Sequence, residues 1–440
     1  MYMGSLVLTW WAALIGLAVA IILILKKLNP VYSLLLGAVI GSLIGGANLV
    51  QTIDILIKGS QSVMGTVLRV LAAGMLAGVM MESGSADTLA RAIVSKFGDR
   101  FALFALALAT MIITAVGVFI PVAVLIVAPI ALEVGKRMNF SKLSLLVALS
   151  GGGKAGNIIS PNPNTIAAAK GFNVELSQVM IADFIPAVIA LIVTVLLATL
   201  IRKRGSAVLD ADLENLTQAA ADDDKKLPSL GASLVTPVLA IVLLLLNPLG
   251  SIFHIAALTT INLDAMYVLP FAAVVGALAM GQGKQLSEFA RSGIARMTDV
   301  VLILIGAGAI GATITSSDLP NQIINLIKAS GMSGTLLAPI SGILMAAATA
   351  STSTGVILAT GSFSKAILGF GVNPIAAAAM VHTGGIVIDH LPHGNYFHVT
   401  ANAMHMDISE RSHAIVYESL VGLSATITAT VLYGFLHFMF

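Results

Sequence analysis

The stretch Gly156-Asn157-Ile158-Ile159-Ser160-Pro161-Asn162-Pro163-Asn164 interrupts an otherwise apolar segment, 142–170, and decides how the rest of the chain is read. Two prolines one residue apart cannot sit inside a regular helix, because each lacks an N–H and clashes with the preceding turn. Moving 233 positions along, the apolar segment 374–405 is interrupted in the same way, from Asp389 to Asn395. Asn162 falls on Asn395 (395 − 162 = 233), Ser160 on His393, and Ser150-Gly151-Gly152 on Thr383-Gly384-Gly385, without a gap. Gly78 and Gly311, Ser83 and Ser316, and Gly98 and Gly331 keep the same register. Weak internal symmetry in a strongly apolar chain is the pattern of a secondary transporter, whose substrate site lies where two repeats meet.

Composition sets the solvent. Of 440 residues, 58% are hydrophobic and 10% charged, whereas soluble domains carry about 25% charge, so the expected class is an all-α polytopic membrane protein. The near-balanced net charge of +2 gives no reason to expect nucleic acid, and the absence of cysteine excludes disulfides and thiol chemistry. No Walker-type phosphate loop is present, so direct use of ATP is not supported and no cofactor is expected. The first apolar run, 6–25, lacks a basic lead-in and is read as a retained helix.

Apolar runs near 6–25, 31–49, 64–82 and 178–201, then 232–247, 265–281, 297–315 and 414–438, are read as crossings. Two longer stretches are broken internally: 102–136 at Gly117 and Pro121, and 334–369 at Ser351-Thr352-Ser353-Thr354-Gly355. Irregular backbone at membrane depth must line a protein cavity, so each is read as a re-entrant hairpin. Each half then has one hairpin and one broken helix and crosses five times. Five crossings invert the second repeat, and ten place both termini on one side. The expected division is an N-terminal helix of repeat 1 at 1–30, the rest of repeat 1 at 31–201, a polar cytoplasmic linker at 202–230 carrying Asp222-Asp223-Asp224-Lys225-Lys226, and repeat 2 at 231–440. Most basic residues, among them Lys26, Lys27, Lys142, Arg202, Lys203, Arg204 and Arg411, then face the cytoplasm, as the positive-inside rule requires. Arg69 is read as snorkelling to the headgroups, and Trp10 and Trp11 as interfacial anchors.

Broken helices expose N–H groups at one end and carbonyls at the other, which attract anions and cations respectively. Around the first break stand Asn157, Ser160, Asn162, Asn164 and Thr165; around the second hairpin and break stand Ser351, Thr352, Ser353, Thr354, Asp389, His390, His393, Asn395 and His398. Hydroxyls and amides of this kind suit a small polyhydroxylated acid. Any one Ser or Thr could equally bond back to its own helix. Six of the eight histidines lie between His382 and His413, and histidine titrates where a proton-coupled carrier works. Asp389, His390 and Lys154 are therefore the candidate coupling group, with Asp389 expected to take up the proton. Lys154 could face a substrate carboxylate, pair with Asp389 as a releasable partner, or form a purely structural ion pair. His390-x-x-His393 has ligand-like residues, but proline and glycine interrupt it and no metal is expected.

At these positions the chain resembles the gluconate permease (GntP) family of the ion transporter superfamily. The likeness rests on Glu82-Ser83-Gly84, Ile120-Pro121, Ile159 to Ala169, Ala346 to Thr354, His390 to Phe397 and Tyr417-Glu418-Ser419-Leu420-Val421-Gly422. Two departures stand out: Asn157 lies near where the family often has histidine, and His390-Leu391-Pro392-His393-Gly394 replaces a His-x-Asn-Asp-Ser-Gly type. The resemblance implies a homodimer, with a scaffold of outer helices and a transport domain that moves as an elevator. Repeat and resemblance together lead to an expected proton symporter for a gluconate-like hydroxycarboxylate in a bacterial inner membrane. The alternatives are a cation/proton antiporter or a sodium-coupled carboxylate carrier of the same superfamily, and, from other classes, an intramembrane enzyme or a channel.

Overall fold

The computed structural model describes residues 7–26, 28–98, 101–213, 227–252, 255, 263–330, 333–392 and 394–438. Among them the backbone is helical, and its only β features are isolated bridges at Leu8–Ser317 and Ser141–Ala207. In the first half run α1 (Trp10–Leu25), α2 (Pro30–Ile44), α3 (Leu49–Ser62), α4 (Met64–Glu82), α5 (Ser85–Phe97), α6 (Ala102–Ala115), α7 (Ile120–Met138), α8 (Lys142–Ile158), α9 (Pro163–Gly171), α10 (Leu176–Ala182) and α11 (Phe184–Leu200). In the second run α12 (Leu230–Ile252), α13 (Ala265–Ala279), α14 (Leu286–Arg296), α15 (Thr298–Thr315), α16 (Leu319–Ser330), α17 (Leu337–Thr349), α18 (Thr352–Gly369), α19 (Pro374–Gly385), α20 (Asn395–Ala403), α21 (Ile408–Ser412) and α22 (Ala414–Ala429), which ends in a π turn, Thr430–Phe435.

Recurring local chemistry starts these helices. Asn29-Pro30, Asn162-Pro163 and Asn373-Pro374 each put an amide cap before a proline that has no N–H to leave unsatisfied. The long apolar stretches break where expected, at 116–119 between α6 and α7 and at 350–351 between α17 and α18, the latter through Ala350 in a left-handed conformation (φ 45°). Shifted by 233, α6 and α7 land on 335–348 and 353–371, almost the bounds of α17 and α18.

Packing exchanges partners between the halves. α3 packs on α15 and α4 on α14; α18 packs on α9 and α7 on α20. Under the 233 shift each of these contacts maps onto the other of its pair. Within a half, α6 packs on α8 and α17 on α19. The first contact is very close: a Cβ on Gly156 would lie 1.9 Å from the Met111 carbonyl oxygen. Small residues are what let membrane helices approach so tightly without a hydrophobic driving force between them.

Several expected crossings are shorter than anticipated. Met64–Glu82, Thr298–Thr315 and Ile408–Phe435 are long and apolar enough to span a bilayer, and α10 with α11 would make a fourth across a 43° bend. Pro30–Ile44 and Ala265–Ala279, 15 residues each, reach only about 22 Å at 1.5 Å per residue. α2 stops at Gly45-Gly46, where Gly46 turns the chain with φ +103°.

Three surface assignments change. Arg69 does not snorkel; its guanidinium pairs with Asp264, the N-cap of α13. Burial alone would push the Asp264 carboxyl up, but hydrogen bonds from Arg69 and the Met266 N–H hold it below its ordinary value. Arg411 and Lys142 are buried rather than solvated. The Lys142 ammonium meets Asp212 of the linker at 2.8 Å and the His405 carbonyl at 3.0 Å, so the linker's start is tied to the helices instead of hanging free. Its acidic-basic run, 222–226, lies outside the described residues.

Candidate functional site

The two breaks meet at the tip of the second broken stretch, the start of α18. Thr352 donates its hydroxyl to Asp389, in the second break, while the neighbouring Ser353 donates to the side-chain oxygen of Asn164, beside the first. Two consecutive residues thereby join both halves. Gly394 makes this fit possible: a Cβ there would lie 2.5 Å from the carbonyl oxygen of Ala350, just before the tip.

The first break is a cluster of neutral amides. Asn162 accepts from the N–H groups of Asn164 (2.9 Å) and Thr165 (3.2 Å), capping α9, and donates to the backbone and side-chain oxygens of Asn157 at 2.7 and 2.8 Å. The Thr165 hydroxyl reaches the same Asn162 oxygen at 3.3 Å, and Asn164 donates to Asn157 at 3.3 Å. Asn157, Ser160, Asn162, Asn164 and Thr165 are all buried. Among the described residues Asn157 Nδ2 and Ser160 Oγ have no partner, an unusual state for buried polar atoms.

The second break is built of charges. The Lys154 ammonium, from α8, pairs with Asp389, donates to the Ile386 carbonyl and lies 3.0 Å from His390 Nδ1. The same Nδ1 is 3.0 Å from Asp389 Oδ1, while Nε2 faces the Ile415 carbonyl at 3.1 Å and Glu418 at 3.6 Å. Glu418 in turn takes a bidentate pair from Arg411, at 2.7 and 3.0 Å, and Arg411 lies over the Phe397 ring. Lys154, Asp389, His390, Arg411 and Glu418 are all 0% exposed. With His390 neutral the four permanent charges cancel (+2 − 2 = 0). His390 keeps partners in either form: neutral, its Nδ1 accepts from Lys154; protonated, it donates to Asp389. Asp389 thus faces an ammonium, a hydroxyl and an imidazole at once.

Not every expected residue joins the site. Thr354 is buried, but its hydroxyl bonds locally to Ser351 (3.2 Å), which caps α18. Asn395 is exposed at the start of α20, and His398 is exposed and bonded to the Pro392 carbonyl at 2.8 Å. His393 lies outside the described residues. Arg411 and Glu418 were missed. Their spacing, Arg-x6-Glu, is two helical turns, but in the sequence Arg411 reads as a charge of a cytoplasmic segment.

A cavity of about 390 Å³ lies at the other end of α9, between α3, α4 and α15 on one side and α9 and α18 on the other; Ser62, Thr66, Lys170, Thr315, Thr360 and Ser364 give it polar lining.

Among the described residues the fold is helical and apolar and buries a balanced set of charges where its two halves meet, and its family and relatives are membrane permeases, not enzymes. The chain belongs to the GntP permease family, which matches it over residues 7–435, and the resemblance seen in the sequence is thereby borne out. It is 46% identical to an uncharacterized transporter of Haemophilus influenzae, over 97% of this chain and 98% of that one. It is 22% identical to a high-affinity gluconate transporter of Escherichia coli over 87% of this chain and 89% of the relative, and 23% identical to the D-serine transporter DsdX of the same organism over 79% and 80%. Among solved structures, the YdaH transporter of Alcanivorax borkumensis has a similar fold, with a TM-score of 0.63 at 15% identity, covering 88% of this chain and 90% of that one.

Proposed function

We propose that this protein is a secondary active transporter of the bacterial inner membrane that takes up a small hydroxycarboxylate by proton symport. The observation that carries the reading is the Thr352-Ser353 tip bonded at once to the amide break and to the charged break. Substrate bound at the amides would then be sensed directly by the charged ring. Gluconate and D-serine, named for two relatives, are both small carboxylates bearing hydroxyls, in keeping with an amide and hydroxyl site.

The exchanged packing of α3, α4, α14 and α15, and of α7, α9, α18 and α20, supports two inverted repeats with ten crossings and two re-entrant hairpins, the short apolar helices included. α1–α5 and α12–α16 would form the scaffold, and the remaining helices the moving domain of an elevator; the cavity lined by Lys170 lies along that seam. The substrate residues are Asn157, Ser160, Asn162, Asn164, Thr165, Thr352 and Ser353, with Thr354, His393 and Asn395 as further candidates; Lys154, Asp389 and His390 couple. A ligand shifts a conformational equilibrium only through differential affinity, so substrate and proton must favour the same state. A homodimer through the scaffold completes the proposal.

The test is counterflow of labelled gluconate in proteoliposomes, with sugar acids, short hydroxyacids, dicarboxylates and D-serine as competitors, under a pH gradient and separately under a sodium gradient. A carrier exchanges, a channel only dissipates and an enzyme alters the compound. Exchange of none of these acids would end the substrate assignment, and accumulation that follows sodium alone would end proton coupling.

A further inference from the structure

Asp183 and His382 form a second buried titratable pair, away from both breaks. Asp183 stands at the 43° bend between α10 and α11, and His382 lies on α19. Neither side chain is exposed, and Asp183 Oδ2 is 2.7 Å from His382 Nδ1. Asp183 Oδ1 and His382 Nε2 have no partner among the described residues. The repeat does not require the pair, since 183 + 233 is Val416 and 382 − 233 is Leu149.

The neighbouring elements add little charge. Tyr433 of the π turn lies beside Asp183 and donates its hydroxyl to the Ala182 carbonyl. Lys154 of α8 and Glu418 of α22 belong to the ring at the break, Tyr417 of α22 is only part-buried, Lys170 of α9 lines the seam cavity, and Lys365 of α18 lies beside Asp318. α10, α11, α12 and α17 carry no Asp, Glu, Lys, Arg, His or Tyr, and α19 carries none besides His382.

With Nδ1–H donating to Asp183 the imidazole is neutral, its Nε2 lone pair is unused, and the pair holds one uncompensated negative charge away from water. Such a charge is costly unless it is paired. One proton on Nε2 turns the pair into imidazolium and carboxylate with no net charge. α19 ends at Gly385, one residue before Ile386, whose carbonyl holds Lys154, so the pair and the charged break lie on one continuous run of backbone. We propose that Asp183 and His382 form a second proton-binding site, filled in one state of the transport cycle and emptied in another. This rests on the proton-symport reading above.

The test measures proton and gluconate fluxes together in proteoliposomes of the full chain, for wild type, Asp183→Asn, His382→Gln and the uncharged double variant. The expected result is a proton-to-gluconate ratio lower by one in each variant, with one limb lost from the pH profile of uptake. An unchanged ratio and profile in a folded variant overturns the second site while leaving symport standing. So does a folded variant dead in counterflow, or failure of all three variants to insert, either of which marks the pair as structural. A wild type that exchanges gluconate without moving protons removes the symport reading, and the second site with it.

Discussion

The two breaks occupy equivalent places in the repeat and use opposite chemistry. The first is held by amides and hydroxyls, each individually neutral, and leaves Asn157 Nδ2 and Ser160 Oγ unpartnered among the described residues. The second is held by four buried charges and an imidazole that pair with one another. On the proposed function the two breaks divide the work: the first offers exchangeable hydrogen bonds, as a site that must release its ligand needs, and the second holds a charge balance that a single proton would upset. Neutral hydrogen bonds are worth about 1 kcal/mol net, whereas an orphaned buried charge costs several. Under the proposed function the second break is therefore the one expected to drive a conformational change.

The largest effect expected from that contrast is at Lys154. Lys154→Ala leaves Asp389 charged and unpaired, a loss of about 3–5 kcal/mol, seen as a marked drop in thermal stability of the purified protein in detergent. The double variant Lys154→Met with Asp389→Leu should recover most of it. A stable single variant would show that the ring is not an energetic unit.

Asp389→Asn should permit exchange between loaded vesicles yet abolish accumulation driven by a pH gradient. Because it strands Lys154, Lys154→Gln with Asp389→Asn is the cleaner form of the experiment. If either still concentrates substrate, coupling belongs elsewhere.

At the neutral break the effects are smaller. Ser353→Ala removes the bond to Asn164, and an interaction of about 1–3 kcal/mol should weaken substrate binding about tenfold without altering insertion, measured by equilibrium binding. Asn162→Ala should cost binding and also about 1 kcal/mol of stability, because Asn162 caps α9. Wild-type affinity in both variants would remove the amide cluster from the binding site.

The smallest effect belongs to Arg69–Asp264, outside both breaks. Its carboxyl is held below the ordinary value, so its contribution is complete above about pH 4 and is lost as pH falls further through the lowered value. Arg69→Gln should lower stability by less than about 1 kcal/mol at neutral pH, and the difference from wild type should shrink in acid.

The sequence by itself determined the solvent, the helical class, the family resemblance and the places where helices break. Those depend on composition and on local rules: apolar run length, paired prolines, and Asn-Pro at helix starts. It also named the residues of both breaks, because polar groups in an apolar segment stand out wherever they fold. Tertiary structure decided how they are used. Asn164 is legible as a polar residue of the first break, but only packing gives it Ser353, 189 positions away, as a partner. Thr354 bonds within its own turn, and Asn395 is exposed although its repeat partner Asn162 is buried. The Arg411–Glu418 pair was hidden, since a charge near a helix end looks the same in sequence whether it meets solvent or a carboxylate. Asp183 and His382 lie 199 positions apart and break the repeat, so no local pattern links them. Long-range pairing of charges is set by which helix faces meet, and only the folded chain fixes that.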